Sequence, residues 1–427
     1  MTAGRRLVPA VGGTRQVPAA DPIAEDYVLL GLRLDQHIPG LVDGYFGPAK
    51  LKARVDMEQR YAPARLQMDA SALAQRVATD IADTDRRDWL LAQLSALEAH
   101  AAALAGAPLP FDESVARSMG FAPPRHDEAE FRDALAVLDA SLPGGGTVNH
   151  RIAAWDRALE IPVERVTAVV DWLVERFRQR SAHLFGLPEG EDLRVSLVSG
   201  QPWSGYNWFD GGRRSRVDLN TDLPIRAPDL VHTVAHETYP GHHLEHAWKE
   251  ADLVDRLGRL EASLLLINTP ECPISEGLAE LGTTFAAPLE ARADLLVELF
   301  ERAGLAVADD PVRARETAEV AVGLVEPRQA IAAIEGNAAY LRHADGASRD
   351  EVLAYLQDVG GYAPALAAKR LEFIEHPLWR TYVFAYAEGE ALLRRWMEAV
   401  PEPERVARFG RLLHEQVTPG RLLAELD

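Results

Sequence analysis

Residues 236–243 read "HETYPGHH". His-Glu is how a zinc-hydrolase helix begins, with its second histidine ligand four positions after the first, yet Pro240 holds that place. In a regular helix residues four apart lie roughly 6 Å along the axis on one face, so both imidazoles reach an ion at about 2.0–2.1 Å. The same helix would carry His242 roughly 9 Å along and onto another face, with His243 two turns away. Pro240 forbids that regularity, because it has no N–H for the His236 carbonyl and its ring crowds that oxygen. It also disfavours helical angles at Tyr239, while Gly241 tolerates almost any backbone angle. The Pro-Gly pair therefore predicts a bulge that loops out the extra residues and returns His242 or His243 to the face of His236. Helix irregularities of this kind gather at functional sites.

Five of the thirteen histidines fall in this region: His232, His236, His242, His243 and His246. A solvated helix face would also tolerate them, whereas core packing would demand a buried partner for each ring. His232/His236 and His242/His246 are spaced four apart too, but neither pairing explains the Glu after His236 or the Pro-Gly step. A zinc hydrolase needs a third protein ligand and an open position. The segment "PISEGLAELGTTF" (273–285) supplies Glu276 on a helix opened by Pro273. Glu280, one turn later, is its rival, or a carboxylate orienting a ligand histidine. Cys272 fits a small buried apolar role. With zinc present, Glu237 is placed as general base for the attacking water.

The rest of the chain sets the frame. Its 427 residues are 47% hydrophobic, which permits a large core. A formal charge of −20 argues against nucleic acid or an anionic membrane surface as partner. One cysteine allows no internal disulfide, and no secretory h-region or membrane-length apolar run is present, so a cytoplasmic protein is expected. Residues 1–20 read as a flexible tail. A helical N-terminal region over 21–190 includes a helical hairpin or bundle within 71–104 and helices near 127–141 and 162–185. A catalytic region over 191–427 begins with short strands at 192–200 and 215–223, separated by the aromatic loop or hairpin "QPWSGYNWFDGGRR". Helical text then runs nearly to the end, broken at "NTPECP", "ADDP", "HADGAS", "GGYAP" and "EHP". The two regions are expected to form one continuous body, mainly helical, with one small sheet beside the histidine helix.

At these residues the chain resembles the bacterial domain-of-unknown-function family 885, whose signature is "HExxPGHH" followed by "EGWA"; here the segments stand as "HETYPGHH" and "EGLA" (276–279). "SRVDLNT" (215–221), "HPLWRTYVFAYAEGEALLRRW" (376–396) and "LVDGYFGP" (41–48) are similar to further segments of that family. Leu278 and Leu281 depart from it, standing where Trp and Tyr are common. The resemblance implies a gluzincin-type, zincin-like metallohydrolase in which His236, His242 and Glu276 bind zinc and Glu237 is the base. It selects His242 over His243 because zincin relatives place a glycine before the second ligand. Tyr386 is the expected oxyanion donor, with Tyr382 and Tyr239 as rivals. Arg380, Asn220 and His243 are assigned to substrate binding, Arg380 as a fork for a substrate carboxylate in a carboxypeptidase or small-peptide hydrolase. Strand 215–222 is expected to align an extended substrate by edge pairing. Two other functions remain open to the sequence: a non-catalytic metal- or ligand-binding helical protein, and a zinc hydrolase of a non-peptide amide metabolite.

Overall fold

A computed structural model describes residues 21–201 and 203–427; the tail expected over residues 1–20 lies outside the described residues. The chain is mainly helical. Asp21 opens the first helix, Pro22–Asp35, its carboxylate accepting from the amides of Ile23 and Ala24. The periodic stretch near 71–104 is a hairpin of two helices, Pro63–Asp80 and Thr84–Leu104, the second capped by Asp83. These three helices enclose an N-terminal core around Tyr27, Leu66 and Trp89. No helix among the described residues is long and apolar enough to cross a membrane.

Five short strands among the described residues form two sheets rather than the single sheet expected. They are β1 (Val42–Tyr45), β2 (Asp192–Val198), β3 (Gly205–Phe209), β4 (Arg214–Asn220) and β5 (Leu264–Leu266). β2 pairs parallel and β3 antiparallel with β4, giving the order β2-β4-β3, while β1 and β5 pair antiparallel. β4 is therefore a central strand with both edges used. It cannot receive a substrate strand, and β3 is the member that borders the site. β5 spans three leucines, too few for a period to declare itself.

Four helices carry the site: α1 (Ala227–Glu237), α2 (His242–Lys249), α3 (Cys272–Ala286) and α4 (Val383–Glu398). A large apolar cluster joins Val231 and Val234 of α1, Leu278 of α3 and Leu393 and Trp396 of α4 to Leu173 and Phe177 of helix Val163–Phe185. The apolar contacts thus run across residue 190. The N-terminal core likewise takes in Leu264 and Leu266 of β5. Near that strand the fully buried Glu261 meets Arg86 in a two-pronged ion pair of 2.6 and 2.9 Å, and Arg86 also reaches Asp21 at 2.7 Å.

Candidate metal centre

The interruption at "TYPG" is larger than a bulge. α1 stops at Glu237, Thr238 leaves the helical region with φ −119° and ψ −93°, and α2 starts afresh at His242. The Tyr239–Pro240 peptide is cis. Two wide backbone bonds close the break, Gly241 N to Ala235 O at 3.1 Å and Leu244 N to Thr238 O at 3.3 Å. Gly241 is the residue that allows it, since a Cβ there would fall 1.8 Å from the His236 carbonyl oxygen. The outcome is that His236 and His242, six apart in sequence, face each other with their Nε2 atoms 3.1 Å apart.

The third group comes from α3. Glu276 Oε2 lies 3.3 Å from His236 Nε2 and 3.7 Å from His242 Nε2. That oxygen is buried and accepts no hydrogen bond, whereas Oε1 receives the Tyr382 hydroxyl. Three donors each about 2.0–2.1 Å from one ion and set tetrahedrally stand about 3.3 Å from one another. The observed separations straddle that value, and a buried carboxylate oxygen facing two imidazole nitrogens is a donor set that suits zinc. These residues fit the metal.

What lies behind these three side chains orients them. His242 Nδ1 is 3.3 Å from Ser275 Oγ and 3.7 Å from Glu245 Oε2, and Ser275 donates to the same Glu245 oxygen at 2.6 Å. Lys249 donates to Glu245 at 2.7 Å and to Glu271 at 2.6 Å. Ser275, itself held by the Glu245 carboxylate, contacts the far nitrogen and leaves Nε2 turned towards Glu276. Burial opposes charge on both partners. Even so, His242 and His236 hold the Glu276 carboxyl below the ordinary range, and Glu276 helps lift His242 well above the usual imidazole value. His236 Nδ1 lies 3.5 Å from Glu280 Oε1, and Glu280 Oε2 lies 3.4 Å from His232 Nε2. Glu280 thus stands behind His236, the place expected of a carboxylate that orients a candidate ligand. Burial works against the cation on His232, yet Glu280 raises it to about 9.

Glu237 ends α1 with its backbone carbonyl held by the Asn207 amide at 2.7 Å. Its carboxylate accepts no hydrogen bond or ion pair from the described residues and borders a cavity of about 270 Å3. Burial raises its pKa. Gly205 of β3 packs here, where a Cβ would lie 3.3 Å from Glu237 Oε1. On the other side α3 crosses α4 where Gly277 meets Gly389: a Cβ on Gly277 would lie 2.5 Å from the Gly389 carbonyl carbon. That close crossing brings Tyr382 to Glu276 and Tyr386 to the cavity, their rings 5.6 Å apart.

Three expected site residues sit elsewhere. His243, 100° further round α2 than His242, is fully buried between Ser215 Oγ at 2.8 Å and Glu191 Oε2 at 3.0 Å. Tyr239, a rival oxyanion donor, also points to Glu191. Burial opposes the Glu191 anion, but His243, Tyr239 and Arg178 hold its pKa down to about 2. Asn220 closes the turn after β4, donating to Gln201 O at 2.9 Å and accepting from Asp222 N at 3.2 Å, and lines a separate cavity. Arg380 lies in electrostatic reach of His100 and His343 and does not line the cavity that Glu237 borders. The lining residues that sequence reasoning passed over include Asp43, Trp203, Tyr206, Glu271 and Trp379. Asp43 stood within "LVDGYFGP", a segment noted only for its resemblance.

No family model matches the chain, and no curated protein matches it significantly. Among solved structures it is similar to a candidate lipoprotein from Colwellia psychrerythraea, with 14% identity, a TM-score of 0.46 and 84% of this chain covered. The chain spans 65% of that protein's length. It is also similar to a candidate lipoprotein of unknown function from Shewanella oneidensis, at 12% identity and a TM-score of 0.45 over 88% of this chain and 74% of the other.

Proposed function

We propose that the protein is a zinc-dependent hydrolase of the gluzincin type that cleaves peptide or related amide bonds in short substrates. The observation that carries the reading is the convergence of His236 Nε2, His242 Nε2 and the orphaned Glu276 Oε2 on one point of a cavity wall that also holds the Glu237 carboxylate. Zinc held by those three atoms would polarise the scissile carbonyl and lower the pKa of a neighbouring water. Glu237 takes the proton from that water and hands it to the leaving nitrogen. Its raised pKa makes it a stronger base than an exposed carboxylate. Tyr386 donates to the carbonyl oxygen as it gains charge, while Tyr382 is committed to Glu276. β3 borders the cavity and offers backbone groups to an extended substrate, the role first expected of residues 215–222. A cavity of about 270 Å3 suits a few residues rather than a folded protein.

The test combines metal analysis with a library of short peptides and N-acyl amides. The purified protein should hold one zinc, and chelation should abolish cleavage. Glu237→Gln should keep the zinc while losing turnover by about 10²–10⁴-fold. Full zinc occupancy with no cleavage for the mutation to remove would transfer the protein to the non-catalytic metal-binding class. Cleavage confined to the non-peptide amides would retain the chemistry and change the substrate.

A further inference from the structure

β5 is three leucines long, and a strand sends alternate side chains to opposite faces. Leu264 and Leu266 join the N-terminal core, so Leu265 is turned the other way and lines the cavity that Glu237 borders. Gly44, its partner on β1, leaves that side chain room: a Cβ there would lie 3.0 Å from Leu265 Cδ1. Trp203, Trp379 and Tyr386 line the same cavity. With Leu265 they belong to none of the three main apolar clusters of the described residues, and each keeps part of its surface uncovered. Single exposed apolar side chains are ordinary, but several gathered in one concave lining mark a place where something binds.

The aromatic members form a continuous run. Phe373 stacks on Trp379 at 5.7 Å with the planes 10° apart, and Trp379 meets Tyr382 edge-on at 5.6 Å. Tyr382 meets Tyr386 in the same way, also at 5.6 Å. Because the Tyr382 hydroxyl is spent on Glu276, the run ends beside the proposed zinc ligands. Trp203 and Tyr206 add a second pair of rings to the lining, 5.5 Å apart. The acidic side chains near these rings already have donors, Tyr206 for Asp43 and Lys249 for Glu271. What the run and Leu265 offer a guest is aromatic and aliphatic carbon.

We propose that the substrate carries a large apolar side chain, aromatic for preference, seated against Trp379, Leu265 and Trp203 beside the proposed zinc site. Contact between rings adds to the gain from taking apolar surface out of water, so an aromatic side chain profits most from such a seat. The proposal rests on the hydrolase reading for the bond that is cut, but not for the side chain that is bound.

Glu237→Gln protein supplied with zinc, which does not turn substrate over, is titrated calorimetrically with four tripeptides capped at both ends. Alanine flanks a central alanine, phenylalanine, lysine or glutamate. The phenylalanine peptide should bind about tenfold to a hundredfold more tightly than the alanine peptide, and lysine and glutamate should bring no such gain. An added Trp379→Ala change should cut that advantage to about threefold or less. Leu265→Trp, which fills the seat without removing a ring, should do the same and serves if the first variant fails to fold. Equal affinities, no measurable binding of the phenylalanine peptide, tighter binding of the lysine or glutamate peptide, or an advantage that both variants leave untouched would overturn the proposal. Phenylalanine preference without cleavage by the zinc-loaded wild-type protein would leave it standing and remove the hydrolase reading. Cleavage without that preference would do the reverse.

Discussion

Gly241 has no room for a side chain, and its neighbours show what that constraint achieves. A methyl group there would drive the His236 carbonyl aside and with it the turn that aims the imidazole. Gly241→Ala should therefore cost about 2–3 kcal/mol and weaken zinc binding together with thermal stability, read by melting and by competition with a chelator. The neighbouring histidines should separate cleanly. His242→Ala should abolish zinc binding with little loss of fold. His243→Ala should retain zinc but lower the melting temperature, because the buried Glu191 loses a donor. Zinc retained in His242→Ala and lost in His243→Ala would reverse the ligand assignment. That a second histidine would return to the face of His236 was legible because proline and glycine carry their backbone rules openly, whereas the choice of His242 over His243 came from the family resemblance. The size of the break was not legible, since a bulge and a full restart satisfy the same local rules.

Between elements, the crossing of α3 and α4 decides whether Glu276 keeps its support. Gly389 approaches so closely that a Cβ would lie 2.3 Å from the Pro273 carbonyl oxygen. Gly389→Ala should push the helices apart at a cost of about 1–3 kcal/mol and lower zinc affinity by moving Tyr382 off Glu276. Tyr382→Phe provides the comparison that removes the hydroxyl and keeps the helices together. An unchanged zinc affinity in both proteins would detach this crossing from the proposed zinc site. Helix positions and breaks could be read from periodicity and from Pro and Gly, as with the hairpin before residue 104. β3 could not, because "GYNWF" sits inside an aromatic, glycine-rich run whose pairing with β4 is tertiary. Arg380 misled for a simpler reason. Tyr382 and Tyr386 are four apart at the start of α4, whereas Arg380 lies in the turn before that helix, where closeness in sequence to Tyr386 does not place it on the same face.

At the scale of the whole molecule, distant segments are tied to the site by ionic contacts. His126, before helix Glu128–Ser141, reaches Glu388 of α4 at 2.7 Å and Glu130 at 3.4 Å. The Glu388 hydrogen bond outweighs burial and raises the His126 pKa above its free value. Its contribution to stability is therefore full below the unfolded pKa of about 6.5 and is lost as pH rises through the higher folded value. His126→Gln should lower the melting temperature at pH 6 and make little difference at pH 9; a deficit that grows with pH would contradict that sign. The pairing of β1 with β5 and of Arg86 with Glu261 has a further consequence. A fragment beginning after residue 104 would strand a fully buried carboxylate and uncover the leucines that lead into α3. Losing one partner of such a pair costs about 3–5 kcal/mol, much of what a domain has to spare. Proteolytic trimming should accordingly yield either the intact chain or an insoluble remnant, with no smaller folded piece to be recovered in between.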